Sequence, residues 1–452
     1  MMARLVGRTE LILTAVAIFV AAGSLGAQTP FPSPLSASSV GKYLDQNGGV
    51  TGDAAVARAI SRNPEIEAMR REAAAAEALI LQARLRPNPS VEIGGTKQFN
   101  GPDNSWMVEG GLPLELGGRR GARVRVALRE AEIRRLAVEE GERQLAAEVR
   151  VKWGESLAAI LKLMFTEEML AAATDNYNLV SAQVDEGRRP PLERNMELVE
   201  LNRIRVMREM AEGLVEARLF ELRNLMAMEP DQPLRLRGSL DKPSEPLTPE
   251  AEAVQRALHT RPDLAGARAV ERLAVARTDQ ARSEGRIDAD LMLGYQDMRS
   301  GFPLSGINDA GMPMPIDMRA RAFTFGVKLA IPIRNRNQGM IAASIEEEAA
   351  ARSRREFGEL SIRRDVASAY ARYTRSLRAS EIYQVGVRDQ ASANLQVVRQ
   401  TYEIGTKTLL DYIAELRRFI ETENGYIDTQ LEAYLGHIGV MLATNDPNLV
   451  KR

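Results

Sequence analysis

Apolar residues recur along this chain with two different periods, and the two alternate in blocks. In residues 119–185, Leu145, Val149, Trp153, Leu157, Ile160 and Met164 are spaced by three or four. In residues 338–403, Ile362, Val366, Ala369 and Tyr373 follow the same spacing. That is one face of an α-helix. Neither stretch contains proline. A helix of roughly 66 residues at 1.5 Å rise is a rod on the order of 100 Å long. Such a rod demands coiled-coil-like packing along its side.

The second period is two. In segment 106–116, Trp106, Val108, Gly110, Leu112, Leu114 and Leu116 oppose Met107, Glu109, Gly111, Pro113 and Glu115. Segment 322–333 sets Phe323, Phe325, Val327, Leu329, Ile331 and Ile333 against Ala322, Thr324, Gly326, Lys328, Ala330 and Pro332. Segment 287–298 sets Ile287, Ala289, Leu291, Leu293 and Tyr295 against Asp288, Asp290, Met292, Gly294 and Gln296. Segment 90–98 is the least regular, with Val91 and Ile93 around Glu92. Strands of about ten residues with one apolar and one polar face suit a membrane barrel, although a half-buried soluble sheet has the same pattern. Four strands cannot enclose a lumen, and an open edge in lipid leaves backbone groups unsatisfied. In a membrane, the barrel must therefore be shared between subunits. Pro113 and Pro332 fall at strand ends, where a missing donor matters least.

The blocks occur twice. Asn63-Pro64-Glu65-Ile66 reappears 198 residues on as Arg261-Pro262-Asp263-Leu264, and Leu112-Pro113-Leu114-Glu115 reappears 219 on as Ile331-Pro332-Ile333-Arg334. Gly187 followed by Leu192-Glu193 matches Gly405 followed by Leu410-Asp411, 218 on. The offset grows once, placing an insertion near residues 298–320. Each half reads as an Ala-rich helix (53–86 or 250–284), two strands, a long helix (119–185 or 338–403), a Gly-containing break, and a helix (191–228 or 408–443). The expected repeats are 53–237 and 238–445, with a C-terminal tail at 446–452. The Pro-, Ser- and Gly-containing stretch 28–52 reads as an extended or disordered arm.

Arg4 and Arg8 precede an apolar run, Leu11 to Ala22, followed by small residues Ala22, Gly23, Ser24, Gly26 and Ala27. This predicts an export signal over residues 1–27. The chain has no cysteine, so neither disulfides nor lipid attachment through Cys is expected. Sixty basic residues stand against 61 acidic ones, which gives nucleic-acid binding no electrostatic support. No phosphate loop, nucleophile triad or metal-ligand cluster appears, so neither catalysis nor a cofactor is expected.

The duplicated plan, the two Pro-containing openings and the turn Tyr402-Glu403-Ile404-Gly405-Thr406-Lys407-Thr408-Leu409-Leu410-Asp411 resemble the TolC-like outer-membrane efflux proteins over nearly all of residues 53–445. The run Leu114-Glu115-Leu116-Gly117-Gly118-Arg119-Arg120-Gly121-Ala122-Arg123 is similar to the branch serving cobalt–zinc–cadmium and copper–silver pumps. The resemblance implies a mainly α fold with a β-barrel part. Four strands per chain would contribute to a trimeric 12-stranded outer-membrane barrel above an α-helical barrel. It implies a homotrimer in outer-membrane lipid, a periplasmic adaptor, and an inner-membrane resistance–nodulation–division pump. The channel would conduct heavy-metal cations passively. It also implies a periplasmic gate at the helix turns 184–193 and 402–411. Tyr402, Lys407 and Glu193 match positions that hold the closed state. Family members often carry Arg and Asp where this chain has Lys407 and Glu193. Asp411 matches the first acidic position of the constriction ring, whereas the second is Ala414, with Glu415 beside it.

Met298, Met312, Met314 and Met318 fall in the insertion, which reads as a loop joining the last two strands at the extracellular mouth. Thioethers there are candidate contacts for Cu(I) or Ag(I), or simply flexible filler. Arg119, Arg120, Arg123, Arg125 and Arg129 are expected to meet water or lipid headgroups just below the strands. His259 and His437 are isolated on helices and read as structural. Two other functions fit parts of the pattern. One is the same duct carrying drugs, solvents or a polypeptide. The other is a periplasmic coiled-coil adaptor or structural protein.

Overall fold

The computed structural model describes residues 39–240 and 248–450. The expected export signal lies outside the described residues. The first repeat runs α1 (Gly52–Arg62), α2 (Pro64–Arg84), β1 (Ser90–Lys97), β2 (Asn104–Pro113), α3 (Arg119–Asp185) and α4 (Pro191–Leu225). The second runs α5 (Glu250–Thr260), α6 (Pro262–Glu284), β3 (Asp288–Ile307), β4 (Pro313–Ala330), α7 (Gln338–Tyr383), α8 (Asp389–Glu403) and α9 (Leu409–Thr444). Among the described residues, no helix is long and apolar enough to cross a membrane.

Each Ala-rich segment is two helices rather than one. Pro64 supplies no N–H, and Asn63 caps the new helix by accepting from Glu65 N (2.9 Å) and Ile66 N (3.4 Å). Arg261 replaces Asn63 in the second repeat and cannot cap. It is buried instead, pairing with Asp263 at 2.6 Å and Asp365 at 3.6 Å. Helix α3 is a single 67-residue rod. Its stripe of Leu145, Val149, Trp153, Leu157 and Ile160 is buried against α1, α4, α9 and the segment around Leu236. In α7, Ile362, Val366 and Tyr373 pack on α5 and α9. Small residues let the rods approach: a Cβ on Gly154 would lie 2.5 Å from the Tyr434 ring.

The long second helix and the N-terminal arm also differ from expectation. The long stretch 338–403 is not one α-helix, because Gln384–Arg388 forms a π turn around Gly386. Such a wide turn accommodates an extra residue without ending the helix. Residues 39–50 are not a free arm. Leu44 and Val50 each bridge Leu236, Tyr43 is buried, and Trp153 Nε1 donates to Val50 O at 3.1 Å. Burying Tyr43 and closing the Trp153 donor supplies the local stability that composition hides. The tail also packs: Leu449 is fully buried, and buried Arg150 donates to its carbonyl at 3.0 Å.

The strands form one antiparallel sheet in the order β1-β2-β3-β4. Register aligns the apolar faces of all four. Ile93, Val108, Tyr295 and Phe323 form one row, and Val91, Gly110, Leu293 and Phe325 the next. The insertion is not a loop. It lengthens β3 to 20 and β4 to 18 residues, joined by a turn at 308–312, with a register irregularity between Phe302 and Ser305. Alternation continues through the insertion, and Pro313 and Pro315 are tolerated because β4 is an edge strand. Pro113 ends β2, whereas Pro332 lies just past β4.

Candidate functional site

Two regions carry the sequence-derived candidates: the turns at the far ends of the helices, and the sheet. The first turn, Glu186–Pro190, reverses at Gly187 with φ of +73°, and Pro191 starts α4 where a missing N–H is harmless. The second, Ile404–Thr408, reverses at Gly405 with φ of +85°. Both glycines occupy the left-handed region that side chains avoid.

Tyr402, buried at the end of α8, is where the two turns meet. Arg189, from the other turn, donates from Nη1 to the Tyr402 hydroxyl, and its guanidinium lies 4.6 Å from the ring centre. The same guanidinium pairs with Glu193 at 2.7 Å. On the other side Tyr402 stacks on Tyr412, centroids 5.7 Å apart and planes 10° from parallel. Burial pushes the Tyr402 hydroxyl up to about 12, so it stays a neutral donor and acceptor. Tyr402 and Glu193 are thus brought together, but through Arg189 rather than Lys407.

Lys407 is exposed and forms no ion pair within the subunit among the described residues. Asp411 closes a capping box: its Oδ2 accepts from Thr408 N at 3.0 Å, while its own N–H donates to Thr408 Oγ1 at 3.2 Å. The Thr408 N–H foremost, and the Thr408 hydroxyl donating to the same oxygen at 2.8 Å, hold the Asp411 carboxyl below its ordinary range. Glu415 pairs with Arg418 at 3.4 Å. Arg189 was legible only as an i,i+4 partner of Glu193; its reach across to Tyr402 is tertiary.

Deeper along α4 lie two buried carboxylates the sequence reading missed. Glu200 is flanked by Arg203 (2.9 Å) and Arg417 (2.6 Å). Glu197 accepts from Asn176 Nδ2 at 2.8 Å and forms no ion pair among the described residues, and burial raises its carboxyl to about 6. Beside this cluster an open groove of about 430 Å³ runs between α4 and α9, lined by Leu192, Val199, Leu410 and Ile413.

In the sheet, the polar face carries Glu92 directly opposite Glu109. Met298 and Met318 share this face, Met298 opposite Ala320 and Met318 opposite Ser300. Met314 lies farther along, opposite Gly306, and Met312 sits in the turn. Among the described residues, no group of three or more His, Asp or Glu is placed to hold a metal. The arginines below the sheet do not meet only water. Arg123 pairs with Glu115 at 2.6 Å and donates to the carbonyls of Ala83 and Leu85, closing the end of α2. Arg119 pairs with Asp288 at 2.7 Å and donates to the carbonyls of Glu284, the last residue of α6, and Arg286.

The family model described as outer membrane efflux protein matches residues 55–226 and 253–434, one stretch in each repeat. The chain belongs to the outer membrane efflux protein family. That membership rules out the periplasmic adaptor reading and makes the amphipathic sheet the part that meets outer-membrane lipid, with the helices extending into the periplasm. Among curated proteins, the cobalt-zinc-cadmium resistance protein CzcC of Cupriavidus metallidurans is 22% identical over 389 residues, covering 86% of this chain and 88% of that protein. A membrane protein from Pseudomonas aeruginosa shares the fold with a TM-score of 0.72 at 18% identity, covering 90% of this chain and 92% of its own. CusC, described in connection with transmembrane channel formation, gives 0.70 at 18% identity over 89% of this efflux protein and 95% of its own chain.

Proposed function

We propose that this efflux protein is the outer-membrane duct of a tripartite export system for heavy-metal cations and acts as a homotrimer without catalysing any reaction. The observation that carries the assembly is the four-stranded sheet. It has an apolar face fit for lipid, while β1 and β4 leave its two edges unpaired in the subunit. Three copies would close a 12-stranded barrel and satisfy both edges. Exposed apolar residues along the rods, among them Phe357, Leu360 and Ile382, support burial against neighbouring subunits. A passive duct takes its energy from elsewhere: an inner-membrane resistance–nodulation–division pump joined through a periplasmic adaptor. The apolar groove beside Leu192 and Leu410 supports a partner at the helix ends.

The heavy-metal cargo rests on the likeness to CzcC along nearly its whole length. Within this reading the turns are the gate. Arg189 holds Tyr402 and Glu193 in each subunit, and Lys407 reaches a neighbouring one. Asp411, with Glu415 behind it, forms a carboxylate ring that favours cations. Glu92 and Glu109 repeat that preference inside the barrel. Met298, Met312, Met314 and Met318 give soft cations a thioether contact at the exit.

The test is to delete the gene, restore it, and measure growth tolerance to Co, Zn, Cd, Cu and Ag salts. A drop in tolerance to at least one salt, reversed by the restored gene, is expected. Unchanged tolerance to all five overturns the cargo. A detergent-purified protein that runs as a monomer on size exclusion overturns the trimer.

A further inference from the structure

The lipid-facing side of the sheet changes character along its length. Its apolar rows end at an aromatic stripe: the Tyr295 ring centre lies 5.1 Å from Phe323 and 5.3 Å from Trp106. Trp106 belongs to the next row, with Gly95, Asp297 and Arg321. The row beyond contains Lys97, Asn104, Arg299 and Arg319, and Asp317 follows on β4. Four cations thus sit with two carboxylates immediately past the aromatic stripe, on the same side of the sheet.

The ion pairs leave much of this charge facing outward. Asp297 takes Arg319 at 2.7 Å and Arg321 at 3.2 Å, and Asp317 takes Arg299 at 2.6 Å. The three guanidinium side chains nonetheless remain 56–59% exposed. Their bonds run through Nε and Nη2, so each Nη1 is unused within the subunit among the described residues. Lys97 makes no ion pair among them. A third carboxylate, Asp103 in the β1–β2 turn, is engaged by Ser300 Oγ (3.1 Å) and Gly301 N (2.8 Å). The cations border an open groove of about 810 Å³ whose lining includes Lys97, Trp106, Arg299 and Arg319.

Aromatic stripes on barrels mark the level where hydrocarbon gives way to headgroups. Guanidinium forks fixed on one edge by Asp and open on the other match phosphate oxygens. We infer that Lys97, Arg299, Arg319 and Arg321 form a docking shelf for the phosphate groups of phosphorylated lipids in the outer leaflet. The shelf sets the height of the barrel in the membrane and is independent of what the duct carries.

The full-length protein in detergent is titrated with bis-phosphorylated lipid A, with the same lipid stripped of its phosphates, and with inorganic phosphate. The phosphorylated lipid should bind at least about tenfold tighter than the stripped one, since each basic side chain near a charged headgroup is worth about fivefold. The variant R299Q/R319Q/R321Q should lose that preference, whereas K328Q, on the opposite face, should keep it. Should the triple variant fail to assemble, K97Q, which breaks no ion pair, must lower the preference about threefold or more. Equal affinity for the two lipids overturns the shelf, as does full preference in R299Q/R319Q/R321Q or, failing its assembly, in K97Q. Inorganic phosphate competing as strongly as the lipid overturns the headgroup assignment in favour of a free-anion site.

Discussion

Replacing Arg189 with alanine isolates the contact that joins the two helix turns. The side chain bonds to a buried tyrosine hydroxyl, pairs with Glu193 at 2.7 Å and covers the Tyr402 ring at 4.6 Å. A hydrogen bond from a charged donor contributes about 1.5–3 kcal/mol. The cation–π contact adds about 0.5–1 kcal/mol. The ion pair adds about 1 kcal/mol, because its partners still meet water, at 21% and 26% exposure. One guanidinium makes all three contacts, so they do not add fully. A net of about 2 kcal/mol is expected, a factor of about 30 in the opening equilibrium of the turns. Amide hydrogen exchange followed by mass spectrometry reads this directly. Peptides covering 184–193 and 402–413 should exchange about 30-fold faster in R189A, while those around Leu157 stay unchanged. Planar-bilayer recordings should show more frequent opening. Exchange within about threefold of wild type at both turns would refute the latch, as would a change spread equally through the helical core.

Other perturbations follow from the same geometry. Burial holds Glu197 near 6, above its ordinary 4.5, so the fold favours the protonated form. Its stabilising contribution is full below about pH 4.5 and lost as pH rises through 6, roughly 2 kcal/mol in all. The variant E197Q should therefore melt higher than wild type at pH 7.5 and level with it at pH 4.5; equal melting at both values contradicts the burial argument. Phe325→Arg should cost about 2–4 kcal/mol and abolish the heat-resistant oligomer on gels, whereas Thr324→Arg, on the other face, should leave it intact. Gly154→Ala forces a methyl group into the Tyr434 ring and should lower stability by about 1–3 kcal/mol, measured by thermal melting of the detergent-purified protein.

The sequence made the repeats legible because each element advertises its period. The α3 stripe from Leu145 to Ile160 and the β4 positions Phe323, Phe325, Val327 and Leu329 were read directly. Register then placed the apolar faces of four separately read strands on one side. What escaped depended on partners distant in the chain. Tyr43 is buried because Leu236 and Trp153 meet its segment and Glu212 and Glu216 accept from its hydroxyl. Arg189 matters only because Tyr402 arrives from a turn more than 200 residues later. The insertion looked like a loop because glycines and prolines outweigh alternation in a short window; its strands appear in the β3–β4 ladder, which the ion pairs of Asp297 with Arg319 and Arg299 with Asp317 accompany. The π turn has no strong local signal beyond Gly386 between two valines.

A lone subunit has no comfortable place in a bilayer. The outer edges of β1 and β4 would each expose a ladder of amides and carbonyls to hydrocarbon, at a cost of several kcal/mol per group. Biogenesis must therefore couple insertion to the meeting of chains, and a chain that arrives alone has to be kept in water by a chaperone or destroyed. Mutations that weaken contact between subunits should accordingly show up as lost protein rather than as leaky or half-built pores.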